Sequence, residues 1–213
     1  MNYQIEVFCD NDLNANTYLL YDDNSCIIID PANNIKVLSE YIGTKKVLGV
    51  LLTHGHYDHF KSLKDLLLQY NTFVYMHKLA YPKLSDIEAS YSKIFNYPQP
   101  TIIDQNNIKF VNDGTNLELG TFSIKCWYTP GHTDCMMSYI IDDNMFSGDF
   151  IFKGSIGRTD LISSDRIKMN KMLDELKRRK VNYNIYPGHD GSTTLEYEKE
   201  NNIYLSKNGT YFL

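Results

Sequence analysis

Within six residues, His54-Gly55-His56-Tyr57-Asp58-His59 offers three imidazoles and a carboxylate. Neutral imidazole nitrogen and carboxylate oxygen are first-choice ligands for zinc and its first-row neighbours. With six histidines in 213 residues, three at fixed offsets arise by chance on the order of one time in two hundred, so chance is a poor account. An i, i+2 histidine pair in an extended turn aims both rings at one ion, and Asp58 and His59, on the following turn, face a second. Further donors follow far off in sequence: Gly131-His132-Thr133, Gly148-Asp149 and Pro187-Gly188-His189. Only His77 stands outside the set. Two metal ions about 3.5 to 4 Å apart share a water, lower its pKa towards neutrality and deliver hydroxide without a separate strong base. The chemistry implied is hydrolysis by a metal-bridging hydroxide.

Such donors must be carried to one place. Val47 to Thr53 is an almost unbroken apolar run, suited to a strand buried on both faces, and His54 follows it directly. His132 follows the predicted strand Phe122 to Tyr128, Asp149 follows Asn144 to Phe146, and His189 follows Tyr183 to Tyr186. All four clusters therefore leave strand ends, the rim where α/β sheets place ligands. Glycine beside each ligand allows a tight turn. Upstream, Tyr3, Ile5, Val7 and Cys9 alternate with Gln4, Glu6 and Phe8 as a half-buried strand that opens a meander. Phe60, Leu63, Leu66, Leu67 and Tyr70 have helical spacing and predict one helix opened by Asp58. A second meander runs from Ile108 through the turns at Asn112-Asp113-Gly114 and Asp142-Asp143-Asn144. Ser163 or Ser164 is read as the N-cap of a helix through Lys180, with Lys177-Arg178-Arg179-Lys180 as its solvated basic end. Residues 78–100, with Pro82, Pro98 and Pro100, read as a short helix plus a surface excursion able to overhang a site. The two halves match, which predicts an α/β chain folded as a four-layer αββα sandwich, one domain over residues 1–213.

Bulk properties narrow the function. A net charge of −5 and a pI near 5.6 give no electrostatic basis for a nucleic-acid binder or an anionic-membrane binder. No apolar run approaches a bilayer span, and Met1 to Glu6 shows no secretory leader pattern. Cys9, Cys26, Cys126 and Cys135 have no C-x-x-C spacing and read as reduced thiols of a cytoplasmic protein.

The pieces His54-x-His56-x-Asp58-His59, Gly131-His132-Thr133, Gly148-Asp149, Gly157-Arg158-Thr159-Asp160 and Pro187-Gly188-His189 resemble the metallo-β-lactamase superfamily in order and spacing, over nearly the whole chain. Phe152 to Leu161 and Thr193 to Asn202 are similar to the short, single-domain glyoxalase II-like (hydroxyacylglutathione hydrolase-like) enzymes. By that resemblance His54, His56 and His132 hold one metal, Asp58, His59 and His189 hold a second, and Asp149 bridges. Asp58 and Asp149 are then the catalytic carboxylates, with two divalent ions as cofactors, zinc first and iron or manganese as alternatives. The resemblance implies hydrolysis of a small-molecule acyl thioester such as S-lactoylglutathione, by a monomer or small homo-oligomer. Its rivals are a mononuclear-iron persulfide dioxygenase, similar in the Gly-Arg-Thr-Asp loop, and a lactone or ester hydrolase on the same site. Asp rather than Cys at 149 argues against a zinc β-lactamase of the commonest type. Arg158 is a candidate for binding a substrate carboxylate, or else a salt-bridged loop anchor. Cys135 is read as a buried inert thiol, and His77 and Tyr57 as structural or supporting residues.

Overall fold

The structure, a computed structural model, describes residues 3–97 and 99–205. Pro98, one of the prolines behind the reading of 78–100, lies outside them, as do Met1, Asn2 and residues 206–213. One sheet joins β1 (Gln4–Cys9), β2 (Asn16–Tyr21), β3 (Ser25–Ile29), β4 (Lys46–Leu51), β5 (Val74–His77) and β6 (Ile108–Val111) in sequence order. The other comprises β7 (Asn116–Leu119), β8 (Phe122–Tyr128), β9 (Met137–Ile141), β10 (Asn144–Gly148), β13 (Asn184–Pro187) and β14 (Thr193–Thr194), in the order β14-β13-β10-β9-β8-β7. A small hairpin of β11 (Ile151–Phe152) and β12 (Ser155–Ile156) lies between β10 and β13 in sequence. Both sheets start as antiparallel meanders and become parallel where a helical segment intervenes, at β3 to β6 and at β10 with β13.

The alternation of β8 shows how the layers arise. Phe122, Ile124 and Cys126 are buried while Ser123 and Lys125 are exposed. The buried set meets Tyr18, Leu20, Ile27, Ile29 and Leu51 of the first sheet, filling the space between sheets. On the outer face of the first sheet, Leu19, Cys26, Ile28, Val50 and Leu52 pack under α1 (Ile35–Ile42), α2 (Tyr57–Phe60) and α3 (Leu63–Gln69) through Leu38, Ile42, Phe60, Leu63 and Leu66. Across the second sheet, Trp127, Met136, Ile140 and Met145 meet Met169, Met172, Leu173 and Leu176 after α4 (Tyr81–Ser85), on α5 (Arg166–Arg178), and Leu195 of α6 (Leu195–Asn201). This is the αββα order expected from the two matched halves, and β4 is buried on both faces because helices cover one side and the second sheet the other.

Four local expectations are corrected. The helix opened by Asp58 is two helices, because Ser62 turns its amide to the carbonyl of Pro31 at 2.9 Å and Lys61 is drawn to Asp10 and Asp12. Val7 is 56% exposed although Ile5 packs inward. Cys9 is exposed with it, while Phe8 packs on the helix side; Val7 lies on an edge strand where it and Cys9 line an open groove with Asn14, Tyr186 and Ser192 instead of joining the core between the sheets. Asp165, not Ser163 or Ser164, caps α5 by accepting from the Lys168 amide. Ser164 is committed elsewhere, donating to the His132 carbonyl at 2.8 Å. At the far end of that helix Arg179 stacks over the Trp127 ring at 4.3 Å, so the basic run is not wholly solvated.

Tyr139 ties the sheets together beside the first ligand. Fully buried on β9, its hydroxyl donates towards the carbonyls of Leu52 at 2.9 Å and Tyr75 at 3.1 Å. Tyr139→Phe leaves the ring in place and removes the donor, so we expect a stability loss of about 1 kcal/mol, or somewhat more for the carbonyls left without it. Urea unfolding measures it, and an unchanged midpoint would show that these bonds contribute nothing.

Candidate metal centre

Most donors are delivered by the end of a strand. His54 and His56 follow β4, with Asp58 and His59 on α2 directly after them, and His132 lies beyond β8, Asp149 beyond β10 and His189 beyond β13. Gly148 takes φ +51°, a left-handed turn that an L side chain resists, and the Thr53 side chain already fills the space where its Cβ would sit. Gly188 serves by absence: a Cβ there would lie 2.2 Å from Asp149 Oδ1 and 2.6 Å from the His59 ring. Its φ is not positive, so close approach rather than an unusual turn explains this glycine.

The donors converge in two sets, the first buried and the second with His189 half-buried. His54, His56 and His132 bring ring nitrogens within 4.8 Å of one another, as do Asp58, His59 and His189 with one donor atom each. Asp149 lies between the sets: Oδ1 is 3.3 Å from His59 Nε2, and Oδ2 is 3.4 Å from His132 Nε2 and 3.6 Å from His189 Nε2. Asp58 Oδ2 is 3.2 Å from His189 Nε2 and 3.7 Å from His59 Nε2. All seven residues named from the sequence as ligands are thus brought together.

Hydrogen bonds on the outer side fix the tautomers. His132 Nδ1 is 2.9 Å from the Arg158 carbonyl and His189 Nδ1 is 2.9 Å from the Asn14 carbonyl; carbonyls only accept, so both nitrogens donate. His59 Nδ1 donates to Asp30 at 2.8 Å. Thr53 Oγ1 donates to Asp30 at 2.6 Å and is left to accept from His54 Nδ1 at 3.0 Å. In their neutral forms these four rings turn Nε2 lone pairs inward. Among the described residues, His54 Nε2, His59 Nε2 and Asp149 Oδ1 are buried with no hydrogen-bond partner. Buried polar atoms left unpaired are costly, and a nitrogen-and-carboxylate set of this composition fits a pair of divalent cations.

Electrostatics separate the two sets. Burial, reinforced by His59 and His56, holds His54 well below the usual imidazole range; burial and His132 push His56 down to about 3, and burial lowers His132 against the pull of Asp149. That set is neutral and ready to ligate. Burial opposes charge in the second set too, but the carboxylates prevail there: Asp149 and Asp58 raise His59 and His189, whose charge in turn keeps both carboxyls low. The imidazoles and carboxyls of this set thus favour one another's charged forms, and a cation held there would compete with protons on His59 and His189.

Sequence reasoning missed four supporting residues. Asp30 ends β3 as the ligands end their strands, and that placement was a usable signal. Its oxygens are occupied by the Thr53 amide, the Thr53 hydroxyl and His59 Nδ1, so it orients ligands and is not one itself. Asn14, at φ +57°, holds His189 from the turn before β2, where Ala15 also bridges to His189. Thr53 relays Asp30 to His54. Tyr91 comes from the excursion over residues 78–100: its ring meets His56, and Ile162 donates its amide to the Tyr91 hydroxyl. The excursion does overhang the site. Arg158 holds His132 through its carbonyl, while its exposed guanidinium pairs bidentately with Asp160 at 2.7 and 2.8 Å. Cys135 is fully buried, its thiol pushed up to about 11 by burial. His77 stacks on Tyr128 away from the set, and Tyr57 packs on Phe60 and Tyr97.

Residues 10–189 match the family model of the metallo-beta-lactamase superfamily. The chain belongs to that superfamily. A probable metallo-hydrolase of Bacillus subtilis, YqgX, is 30% identical over 199 residues, covering 91% of this chain and 93% of the relative. A hydroxyacylglutathione hydrolase of Francisella tularensis subsp. novicida is 30% identical over 190 residues, 86% of this chain but 66% of that longer protein. Among solved structures, the BLEG-1 B3 metallo-beta-lactamase superposes with TM-score 0.86 at 26% identity, covering 95% of this chain and 100% of that one. TTHA1623 in a di-iron-bound form gives 0.82 at 26%, covering 92% and 98%. The family and the His/Asp groups make this a metal-dependent hydrolase.

Asp30 offers a direct check on the outer layer. In Asp30→Asn the amide nitrogen must oppose either the Thr53 backbone amide or, turned over, the Thr53 hydroxyl and His59 Nδ1 together, all of them donors to Asp30. Outer-layer partners of metal-bound histidines typically carry a 10- to 100-fold effect on affinity, and a loss in about that range is expected. Competition with a chromophoric chelator reads it, and unchanged affinity would reduce Asp30 to packing.

Proposed function

We propose that the protein hydrolyses acyl thioesters of the S-lactoylglutathione kind at a dinuclear centre, with zinc as the working metal. The observation that carries this reading is the complete second set, Asp58, His59 and His189, sharing Asp149 with the first. Metals held by these residues supply a water activated at neutral pH and a Lewis-acidic face for the acyl oxygen. Asp58, 3.2 Å from His189 Nε2 in the second set, would orient the attacking water, and Asp149 would fix the two sets relative to each other. Tyr91 and the loop after β12 wall the His56 side of the site. Arg158 engages a substrate carboxylate by exchanging it for Asp160, which needs little reorganisation because that pair is exposed to solvent. The similarity to a hydroxyacylglutathione hydrolase supports the substrate class. Small-molecule turnover, a cytoplasmic site of action and a monomer or small homo-oligomer complete the reading. Four free cysteines and the lack, among the described residues, of any helix long and apolar enough to cross a membrane agree with it.

Protein loaded with zinc alone is expected to release thiol from S-lactoylglutathione or a simpler acyl thioester without consuming oxygen. Zinc has no redox chemistry, so this outcome separates hydrolysis from dioxygenation. Oxygen uptake by the iron form with glutathione persulfide, beside an inert zinc form, would establish the dioxygenase instead. Turnover of a lactone, or of a β-lactam as the BLEG-1 similarity suggests, with thioesters untouched, would move the substrate class.

Arg158→Lys tests the anchor separately. A point charge replaces a planar fork, so KM for a carboxylate-bearing thioester should rise several-fold with kcat nearly unchanged. A variant altered only in thermal stability would make Arg158 a loop fastener.

A further inference from the structure

Four of the five ligand histidines have an oxygen partner for the outer ring nitrogen: Thr53 for His54, Asp30 for His59, the Arg158 carbonyl for His132 and the Asn14 carbonyl for His189. His56 differs. Its Nδ1 faces His132 Nε2 at 2.9 Å, inside the first set, and its Nε2 is buried with no hydrogen-bond partner among the described residues. A metal-bound histidine almost always donates its second N–H to an acceptor, which fixes ring orientation and raises ligand basicity. Beside the His56 ring lies that of Tyr91, a T-shaped pair with centroids 5.1 Å apart and planes at 89°.

Tyr91 is held there by an unusual backbone. Its φ is +61°, a left-handed conformation that a bulky aromatic residue seldom adopts unless its surroundings impose it. The Ser90 carbonyl accepts from the Tyr57 amide at 2.9 Å, one residue beyond His56, and the Tyr91 hydroxyl accepts from the Ile162 amide at 2.5 Å. Lys83, buried and on the same excursion, adds bonds to Ser163 at 3.0 Å and Asp134 at 3.0 Å. The excursion over 78–97 is therefore stitched to the metal motif on one side and to the 157–164 loop on the other, with the Tyr91 ring between them.

We propose that Tyr91 is a positioning residue for the metal centre, its π face taking the place of the missing oxygen acceptor on His56 and fixing that ring with Nδ1 inward. An N–H over an aromatic face is a weak attraction, weaker than a bond to carbonyl or carboxylate. His56 is then the least firmly held ligand of the first set, and the excursion controls it. This inference needs the site to take metal and is independent of which substrate the protein hydrolyses.

Two variants and one spectrum test it. Tyr91→Phe keeps the ring and loses the Ile162 bond, whereas Tyr91→Leu loses both. Zinc titration against a chromophoric chelator, with the first-set step identified by its loss in His54→Ala, should show that step weakened about tenfold in Tyr91→Leu, the low end for outer-layer partners, and within about twofold of wild type in Tyr91→Phe. Equal losses in both variants would assign the effect to the Ile162 bond, and no loss in Tyr91→Leu would remove Tyr91 from the centre; either overturns the proposal. Should Tyr91→Leu fail to fold, the zinc-loaded wild type still decides. In long-range proton–nitrogen spectra the His56 Nε2 proton should resonate upfield of the ring N–H protons of the other four ligands, because it lies over an aromatic face and they are bonded to oxygen. A His56 proton grouped downfield with the others would overturn the proposal too.

Discussion

Lone pairs pointed at one another in a buried space are the constraint on which the rest of this structure depends. Five imidazoles and two carboxylates cannot be packed together at the rim of two sheets without a way to meet their charge and their unpaired atoms. In the first set burial favours the neutral imidazoles, and in the second the carboxylates favour the protonated ring of His59, whose protons a bound cation would replace. Both answers need rigid support. An imidazole that turned over would offer a proton where a lone pair is wanted, so the outer layer of Thr53, Asp30, Arg158 and Asn14 matters as much as the ligands. Asp30 has the widest reach in that layer, since through one carboxylate it governs the amide of Thr53, the ring of His59 and, by the Thr53 hydroxyl, the ring of His54.

The fold supplies that support cheaply. Side chains on a loop would need several contacts each to be ordered, whereas His54, His132, Asp149 and His189, one to four positions beyond a strand, inherit their placement from the ladder behind them, and Asp58 and His59 from the helix that follows β4. β4, β8, β10 and β13 deliver the ligands, β3 delivers Asp30, and the two sheets are locked face to face by the core around Tyr139 and Phe146. Tyr139 joins the jobs, since its hydroxyl spans from the second sheet to the carbonyl of Leu52, two residues before His54. Packing between the layers and geometry at the rim are coupled for this reason, and a disturbance of one is expected in the other.

How much of this was legible in the sequence depends on whether a residue's partner is near it in the chain. The ligands were readable because imidazoles are scarce and their type is nearly a statement of role, and the strands were readable because β4 and β8 carry uniform or alternating burial. The broken helix at Lys61-Ser62 was not readable. Its cause, the carbonyl of Pro31 and the carboxylates of Asp10 and Asp12, lies at least thirty residues away. The exposure of Val7 was missed for another reason: nothing local says that this edge strand opens on a groove instead of on the core between the sheets. Asp30 stood at a strand end and was within reach of the rule that found the others. Asn14 and Tyr91 were not, because backbone carbonyls and aromatic faces leave no mark in a pattern of residue types.

The excursion between β5 and β6 shows what this difference means for function. Its sequence has little periodicity, and the segment earns its position through contacts rather than through a regular element: Ser90 to Tyr57, Tyr91 to Ile162, Lys83 to Asp134 and Ser163. Every one of those contacts ends on a residue of the metal motif or of the loops after β8 and β12. The ligands at the strand ends are set by ladders shared with the whole sheet, so little can vary there without loss of the fold. Residues 78–97 are constrained only by where they land, and they land on the mouth of the centre. Differences in substrate among proteins built on this same rim are therefore expected to reside in such excursions, with the ligand set and its outer layer held in common.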